Sequence, residues 1–391
     1  MMVVDNNTKR KNKNILFIDR RIGFNRGGGE VVNLSLAREL TKRGHKIFFL
    51  IGADRQGKMK IPFQEFPFFQ ANSPYLVNLW QKLPFPFSVI INYLDLFLFK
   101  KAVLQKIHQI IKDQNITVIQ VLGMPDLAYA LQKKLPNLRI VTQFPGPPGK
   151  FIYLNQIKKL KYTFAPGDAF RQLKKINSRA KHIPNGIDQE KFDKVSKKRK
   201  QANFLRQGLQ IDEDKIIVLS VGRLVPLKDY PLLFKVVKEL KKKTKKFICL
   251  IIGDGPLREK LENLIEEYAL EDHVKLLGAV DHNKIAKYFC AADLFLLTSK
   301  YESSSIVVLE AMYSRLPVVV ANVGGVTEFV IPEKTGFLVN NRQPESFVRA
   351  LVRLIDDPEY RYQIGQQGYQ KAKKYTWARS AQLFEKYFLR F

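Results

Sequence analysis

The sequence predicts an α/β protein built from two doubly wound parallel sheets, each forming a Rossmann-like domain. Short aliphatic runs alternate with helical segments along both halves of the chain, which is typical of strands that are buried on both faces and joined by crossover helices. A length of 391 residues fits two domains better than one. A dense basic stretch near the middle separates two regions in which the alternation starts afresh.

In the first half, the apolar run 15–19 is followed by a glycine cluster at 27–29 and then by a segment with helical periodicity. The run 46–52 comes next, so the order predicts a right-handed β-α-β crossover. The second half repeats this order from residue 216 onwards. Its predicted strands lie within the runs 216–222, 247–255, 274–280, 293–299 and 317–322.

The stretch 191–200 is rich in lysine and predicts a solvated connection, because like charges at this density resist packing. We therefore expect an N-terminal domain over residues 1–195 and a C-terminal domain that begins at residue 196. Ligands bind beyond the carboxyl ends of the strands in such sheets, so two facing domains would form a central cleft.

Composition and charge exclude several classes of protein. The chain has 46% hydrophobic residues and is neither disordered nor fibrous. Its two cysteines form no CxxC pair and no zinc pattern, which indicates a reducing compartment. No segment is apolar enough to predict a membrane span. The net charge is +30, and residues 1–200 contain 37 Lys and Arg against 13 Asp and Glu, so the first half is expected to meet an anionic partner.

Two cations follow the predicted strand 216–222. Arg223 and Lys228 stand at its carboxyl end, just before a helix. A diphosphate needs fixed positive donors, and this pair could supply a planar fork and a compact charge. The alternative is that both are solvated surface cations.

Two glutamates stand seven residues apart around a run of serines. Glu302 precedes Ser303–Ser305, and Glu310 lies two turns into the predicted helix. Free N–H groups at the start of a helix can bind phosphate oxygens, and carboxylates accept hydrogen bonds from vicinal hydroxyls. The alternative is a Ser303 N-cap with an exposed Glu302 and a salt-bridged Glu310.

Six short motifs in this order resemble the retaining glycosyltransferases of family four, the glycosyl transferases group 1 with the GT-B fold. They are G-G-G-E at 27–30, N-G-I-D at 185–188, G-R-L-V-P-L-K at 222–228, G-D-G-P at 253–256, E-x7-E at 302–310 and G-G-V-T-E at 324–328. The resemblance runs from residue 15 to the end. It implies a C-terminal domain of residues 196–375 that holds a nucleotide-diphospho-sugar, and a terminal helix of residues 376–391 that returns to the first domain.

The resemblance also implies roles for individual residues. Arg223 and Lys228 would bind the diphosphate, Glu310 the ribose and Glu302 the transferred hexose, so Glu302, Arg223 and Lys228 form the catalytic group. The remaining donor contacts would come from Gly28, Gly29, Gly255, Val280, Ser304, Ser305 and Ile306. No metal and no further cofactor is implied. The histidine common in the family after the strand ending at 144 is absent, because Gln143 and Phe144 occupy its place.

The segment 61–99 is rich in aromatic residues and prolines, and its pattern fits neither a strand nor a simple helix. Basic stretches follow at 158–162 and 171–175. This combination is consistent with docking on an anionic membrane and with a lipid-linked acceptor. The alternative is that the aromatic residues form the core beneath a long loop.

The function expected from the sequence is transfer of a hexose from a UDP- or GDP-linked donor to a glycan or lipid-linked acceptor in surface polysaccharide or glycolipid synthesis. The expected location is cytoplasmic, at the inner face of the plasma membrane. Two alternatives remain, a nucleotide-sugar 2-epimerase of GT-B fold and a non-catalytic polyanion-binding protein. No base-stacking module or groove-reading helix indicates a nucleic acid partner, and the acidic triplet Asp212–Asp214 is expected to be a turn and not a metal site.

Overall fold

A computed structural model describes residues 12–22, 28–54, 63–74, 76, 86–148, 153–196, 205–281 and 284–390. The chain forms two compact units. Unit 1 contains Met1–Ala165, Ala169–Ile183 and Ser380–Phe391, and unit 2 contains Pro166–Asp168 and Pro184–Arg379. Within the described ranges no helix combines the length and the apolarity needed to cross a membrane.

The core of unit 1 is a parallel sheet of seven strands in the order β3-β2-β1-β4-β5-β6-β7. The strands are β1 (Asn14–Asp19), β2 (Lys46–Ala53), β3 (Phe68–Asn72), β4 (Val118–Leu122), β5 (Arg139–Gln143), β6 (Tyr162–Ala165) and β7 (Lys181–His182). The helices between them are α1 (Gly28–Lys42), α2 (Phe87–Gln114), α3 (Pro125–Lys134), α4 (Leu154–Lys159) and α5 (Gly167–Ile176). The strand order reverses at β1, which is the doubly wound topology predicted from the sequence.

The aromatic segment 61–99 is more regular than its sequence pattern indicates. It contributes the edge strand β3 and the first half of the long helix α2, so the expectation of neither strand nor simple helix is wrong there. Phe63 and Phe66 pack on Phe49 of β2, with ring centroids 5.1 and 5.2 Å away. These rings belong to the core, whereas the start of α2 exposes apolar side chains. The part of the segment at residues 77–85 lies outside the described residues.

The core of unit 2 is a parallel sheet of six strands in the order β10-β9-β8-β11-β12-β13. The strands are β8 (Ile216–Val221), β9 (Phe247–Ile252), β10 (Val274–Leu276), β11 (Leu294–Leu297), β12 (Val318–Ala321) and β13 (Phe337–Val339). The helices are α6 (Gln189–Ser196), α7 (Tyr230–Lys241), α8 (Arg258–Glu267), α9 (Ala286–Ala291), α10 (Ile306–Tyr313), α11 (Pro344–Asp356) and α12 (Pro358–Ala372). The four central strands are almost wholly buried aliphatic runs, as strands covered on both faces require.

The main segment of unit 2 begins at Pro184, earlier than the predicted domain start at residue 196. The reason is apolar packing. Ile187 and Phe192 are buried in the unit 2 core, and the ring of Phe192 lies 5.8 Å from that of Phe289. Two buried side chains therefore hold α6 on unit 2, although lysines surround them in the sequence.

The last helix, α13 (Trp377–Phe384), ends inside unit 1 and continues into a π-helical turn at Glu385–Leu389. Phe384 and Phe388 each pack on Phe164 of β6, with ring centroids 5.7 Å away. Arg43 donates two hydrogen bonds to the Glu385 carboxylate, at 2.8 and 2.7 Å. Unit 1 is therefore completed by the C-terminal segment of the chain.

Candidate active site

The candidate site lies in unit 2, at the carboxyl ends of β8 and β11. These two strands pair with each other, and the strand order reverses between them because β9 continues the sheet on one side and β12 on the other. Loops that leave adjacent strands at such a reversal diverge and open a crevice, where α/β sheets bind ligands. The β8 loop contains Arg223 and Lys228, and the β11 loop contains Glu302.

Lys228 and Glu302 form the central contact. The Lys228 ammonium donates to Oε1 of Glu302 at 2.6 Å. The buried hydroxyl of Ser299 donates to the same oxygen at 2.6 Å. Within the described residues, no hydrogen bond reaches the other carboxylate oxygen, Oε2. Glu302 is therefore fixed through one oxygen and can accept hydrogen bonds from a ligand with the other.

Because Gly222 has no side chain, there is room beside it for the Lys228 side chain to reach Glu302. A Cβ atom on Gly222 would stand 3.3 Å from Cε of Lys228 and 3.2 Å from the Tyr230 hydroxyl, which donates to the Gly222 carbonyl. A side chain at position 222 would therefore crowd the lysine stem. The close approach explains why a glycine follows β8.

Arg342 ties the β8 and β11 loops together. It donates to the carbonyls of Ser299 at 2.7 Å and Thr298 at 3.0 Å, and it forms an ion pair with Asp229, the residue after Lys228. One guanidinium thus fixes the residues that precede Glu302 and the residue that follows Lys228. Sequence reasoning missed both Arg342 and Ser299, because no spacing rule connects position 342 to positions 229 and 299.

The serine loop, residues 301–305, leads into α10. Ser305 occupies the N-cap position in place of the Ser303 cap considered above, and its side chain makes no capping hydrogen bond. The Oγ atoms of Ser303, Ser304 and Ser305 are buried and have no hydrogen-bond partner among the described residues. Their backbone N–H groups and that of Ile306 also lack protein acceptors in this part of the chain. Unsatisfied buried donors are costly, so the loop is suited to an acceptor-rich ligand such as a phosphate.

The serine loop is held in place through its carbonyl groups. The Gly325 N–H donates to the Glu302 carbonyl at 2.7 Å, and the Asp168 N–H donates to the Ser303 carbonyl at 2.9 Å. Asp168 also accepts a hydrogen bond from the Tyr301 hydroxyl at 3.0 Å. A Cβ on Gly325 would stand only 2.0 Å from the Ser303 carbonyl oxygen, so this contact requires glycine.

Glu310 is buried on α10, and burial raises the pKa of its carboxyl group from 4.5 to about 7. The nearby Lys191 opposes this shift and Asp188 reinforces it. No hydrogen bond to the carboxylate is present in the described part of the chain. A carboxylate kept in this state is destabilising until a donor reaches it, which is what ribose hydroxyls would supply.

The other predicted residues are distributed as follows. Arg223 is exposed at the end of β8. Gly255 lies against Leu224, whose carbonyl oxygen would be 2.6 Å from an added Cβ, and Val280 is half-buried against the unit 2 core. Gly28 and Gly29 form the first turn of α1 in unit 1, with open space around Gly28. Asp212–Asp214 form an exposed turn, and no group of three metal-ligating side chains occurs among the described residues.

A buried polar network in unit 1 is a further feature that sequence reasoning missed. Asn33 donates to Asp19 at 2.8 Å, and Gln120 donates to Asn33 at 3.1 Å and to Gln143 at 2.6 Å. Burial, followed by the charge of Glu30, raises the pKa of Asp19 to about 6. The network crosses β1, β4 and β5, and Gln143 is one of the two residues expected at the place of the histidine that the resemblance implies.

Comparisons with known proteins show what the chain is similar to. Residues 201–371 match the family model of glycosyl transferases group 1. The chain is 28% identical over 259 residues to the alpha-D-kanosaminyltransferase of Streptomyces kanamyceticus, covering 63% of this chain and 65% of that protein. It is 27% identical over 266 residues to the alpha-monoglucosyldiacylglycerol synthase of Acholeplasma laidlawii, covering 61% and 65%. The aligned part is thus less than two thirds of either relative's length.

The fold comparison covers nearly the whole chain. The HepE protein of Anabaena, solved in complex with UDP and glucose, superposes with a TM-score of 0.73 at 19% identity, over 96% of this chain and 99% of that one. This likeness shows a GT-B fold, as the sequence predicted. The family match over residues 201–371, which is less than half of the chain, shows that the part containing Arg223, Lys228, Glu302 and Glu310 is similar to the glycosyl transferases group 1.

Proposed function

We propose that the protein transfers a hexose from a UDP- or GDP-linked donor to a hydroxyl of a glycan or lipid-linked acceptor, with retention of configuration and without a metal ion. The observation that carries the proposal is the Lys228–Glu302 ion pair, at 2.6 Å, beside a loop of unpartnered serine donors. Cations and free N–H groups suit the diphosphate, and a carboxylate with one open oxygen suits the sugar.

The proposed roles follow the charges in unit 2. Lys228 and the exposed Arg223 neutralise the diphosphate, while the N–H groups of Ser304, Ser305 and Ile306 bind its distal phosphate. Glu310 accepts hydrogen bonds from the ribose. Oε2 of Glu302 accepts hydrogen bonds from the hexose, which holds the sugar while its anomeric carbon reacts.

The reaction we propose proceeds on one face of the sugar. The bond between the anomeric carbon and the distal phosphate oxygen breaks, and the acceptor oxygen attacks from the same side. The acceptor proton passes to the departing phosphate. Lys228, Arg223 and the serine loop stabilise the negative charge that develops on the leaving diphosphate, which is where electrostatic catalysis contributes most.

We place the acceptor at an anionic membrane surface in a reducing compartment, as the basic first half of the chain indicates. The similarity to a protein named as a monoglucosyldiacylglycerol synthase supports an acceptor of this class. The same proposal includes a UDP or GDP base in the donor, a hexose as the transferred sugar, and a place for the reaction in surface glycan or glycolipid synthesis.

A donor screen by thermal shift and sugar-nucleotide hydrolysis tests the site. We expect Lys228→Ala and Glu310→Ala to lose stabilisation by the donor, and Glu302→Ala to keep binding but lose turnover. Lys243→Ala and Glu345→Ala, which alter exposed residues of the same unit, serve as controls. Unchanged binding and turnover in all three site variants would overturn the assignment.

A further inference from the structure

The strongest feature outside the candidate active site is an exposed apolar stripe on α2. It consists of Phe87, Ile90, Leu94 and Phe97, which are 59, 59, 44 and 59% exposed. Their spacing of three, four and three residues places them on one face of the helix. Isolated apolar residues on a surface are ordinary, but an aligned set of this size marks an interaction site.

The helix that carries the stripe is firmly attached to unit 1. Its opposite face buries Phe99, Val103 and Ile107 in the core. Asp95, which is 1% exposed, forms an ion pair with the buried Arg20 and accepts a hydrogen bond from the Leu76 N–H at 2.8 Å. The apolar stripe is therefore presented on a fixed helix, and truncating its side chains would open no cavity in the core.

The same helical face becomes basic further along α2. Lys101 and Lys112 continue the line of the apolar stripe at helical spacing, and both are exposed. A helix face that is apolar at one end and basic at the other suits the boundary of a bilayer. The apolar side chains enter the acyl region, and the cations stay among the headgroups.

A second group of cations is connected to this part of α2. Tyr93 packs edge to face on Tyr153, with ring centroids 6.0 Å apart, and Tyr153 is the residue that precedes α4. We define the basic cluster as the exposed Lys158, Lys159, Lys161 and Arg179. Arg179 donates to the Lys158 carbonyl at 2.9 Å, so the end of α4 and the end of α5 carry their charges together.

We infer that the apolar stripe and the basic cluster form a docking face for an anionic lipid bilayer. An anionic bilayer is the partner with complementary charge, because Lys101 and Lys112 lie on the same helical face as the apolar stripe and the first half of the chain is strongly basic. Cations near an anionic leaflet are attracted to its surface charge, and inserted aromatic side chains add apolar burial. The inference deepens the proposed membrane location by naming the face that binds, and it does not depend on the donor site.

Vesicle flotation tests the inference with the full-length chain. The probes are phosphatidylcholine vesicles with and without one third phosphatidylglycerol. The wild type is expected to float with the anionic vesicles at low salt and to be released by salt. Phe87→Ser with Phe97→Ser should lower the partition coefficient by at least about tenfold. Lys158→Gln with Lys159→Gln should weaken only the binding to anionic vesicles.

Matched controls come from unit 2. Tyr362→Ser removes an aromatic side chain that is 65% exposed, and Lys243→Gln with Lys245→Gln removes two exposed cations. Neither should change flotation. A stripe variant that floats like the wild type would overturn the inference. A wild type that floats with neither kind of vesicle would also overturn it, and so would one that instead forms a dimer which the stripe substitutions dissociate. Donor stabilisation, measured in parallel, separates failure of docking from failure of the proposed transferase.

Discussion

At the scale of single residues, burial of Glu310 makes the stability of the chain depend on pH. Its folded pKa of about 7 lies above the ordinary value of 4.5, so the folded chain holds the proton more tightly than the unfolded chain. The free energy of unfolding therefore falls as the pH rises from about 4.5 to about 7. A shift of this size corresponds to roughly 3 kcal/mol.

We predict that Glu310→Gln raises the melting temperature of the ligand-free protein at pH 8, has little effect near pH 4.5, and removes stabilisation by the donor. Thermal melts at the two pH values, with and without the nucleotide sugar, check this. Asp19 titrates in the same range, so the comparison is made between the variant and the wild type at each pH. A variant no more stable than the wild type at pH 8 would contradict the buried-carboxylate account.

Ser299 is predicted to be a positioning residue. Its hydroxyl donates at 2.6 Å to the Glu302 oxygen that also binds Lys228. Ser299→Ala should lower kcat by roughly tenfold, because a hydrogen bond to a charged group is worth about 1.5–3 kcal/mol, and should leave the donor Kd nearly unchanged. Steady-state kinetics with a donor titration separates the two effects. Ser346→Ala, on the exposed start of α11, is the control, and a large change in Kd alone would exclude the positioning role.

At the scale of elements, two glycines give a contrasting pair. A Cβ on Gly325 would meet the Ser303 carbonyl oxygen at 2.0 Å, whereas a Cβ on Gly28 would have open space around it. Gly325→Ala should therefore displace the serine loop, with loss of both donor binding and stability. Gly28→Ala should keep the melting temperature or raise it slightly, since alanine favours the first turn of α1.

The Gly28 variant also tests the expectation from the sequence that Gly28 contacts the donor. If Gly28 contacts the diphosphate, Gly28→Ala should weaken the donor complex although the ligand-free chain is intact. Thermal shift with and without the nucleotide sugar distinguishes the cases. Full donor affinity in Gly28→Ala would remove this glycine from the site.

An element could be predicted from the sequence where the apolar pattern of its residues matches their burial in the folded chain. The strands β8 and β9 are apolar except for Ser220, and both are central. The aromatic start of α2 was missed because Phe87 and Phe97 are exposed while Phe99 is buried, so the helix is apolar on two faces and shows little amphipathic period. Lys228 and Glu302 could be found because each follows a strand end. Arg342 could not be found in this way, because its contacts with Ser299 and Asp229 join residues 43 and 113 positions apart and form only on folding.

At the scale of the whole molecule, the C-terminal residues belong to unit 1, although most of the chain before them builds unit 2. Phe388 is 1% exposed and packs against Phe164 and Phe384, with ring centroids 5.7 and 5.3 Å away. Its carbonyl accepts a hydrogen bond from Arg139 of β5 at 2.9 Å. The stability of unit 1 therefore depends on residues that follow unit 2 in the sequence.

Calorimetry of two core variants tests this dependence. Phe388→Ala should destabilise unit 1 by roughly 3–5 kcal/mol, as expected for a buried phenylalanine, and leave unchanged the transition that shifts with the nucleotide sugar. Phe347→Ala truncates a fully buried ring of the unit 2 core. It should destabilise unit 2 and leave the transition of unit 1 unchanged. Equal shifts of every transition in both variants would mean that the two units unfold cooperatively as one. In that case the C-terminal segment would stabilise the whole molecule, because loss of its packing would also lower the stability of unit 2.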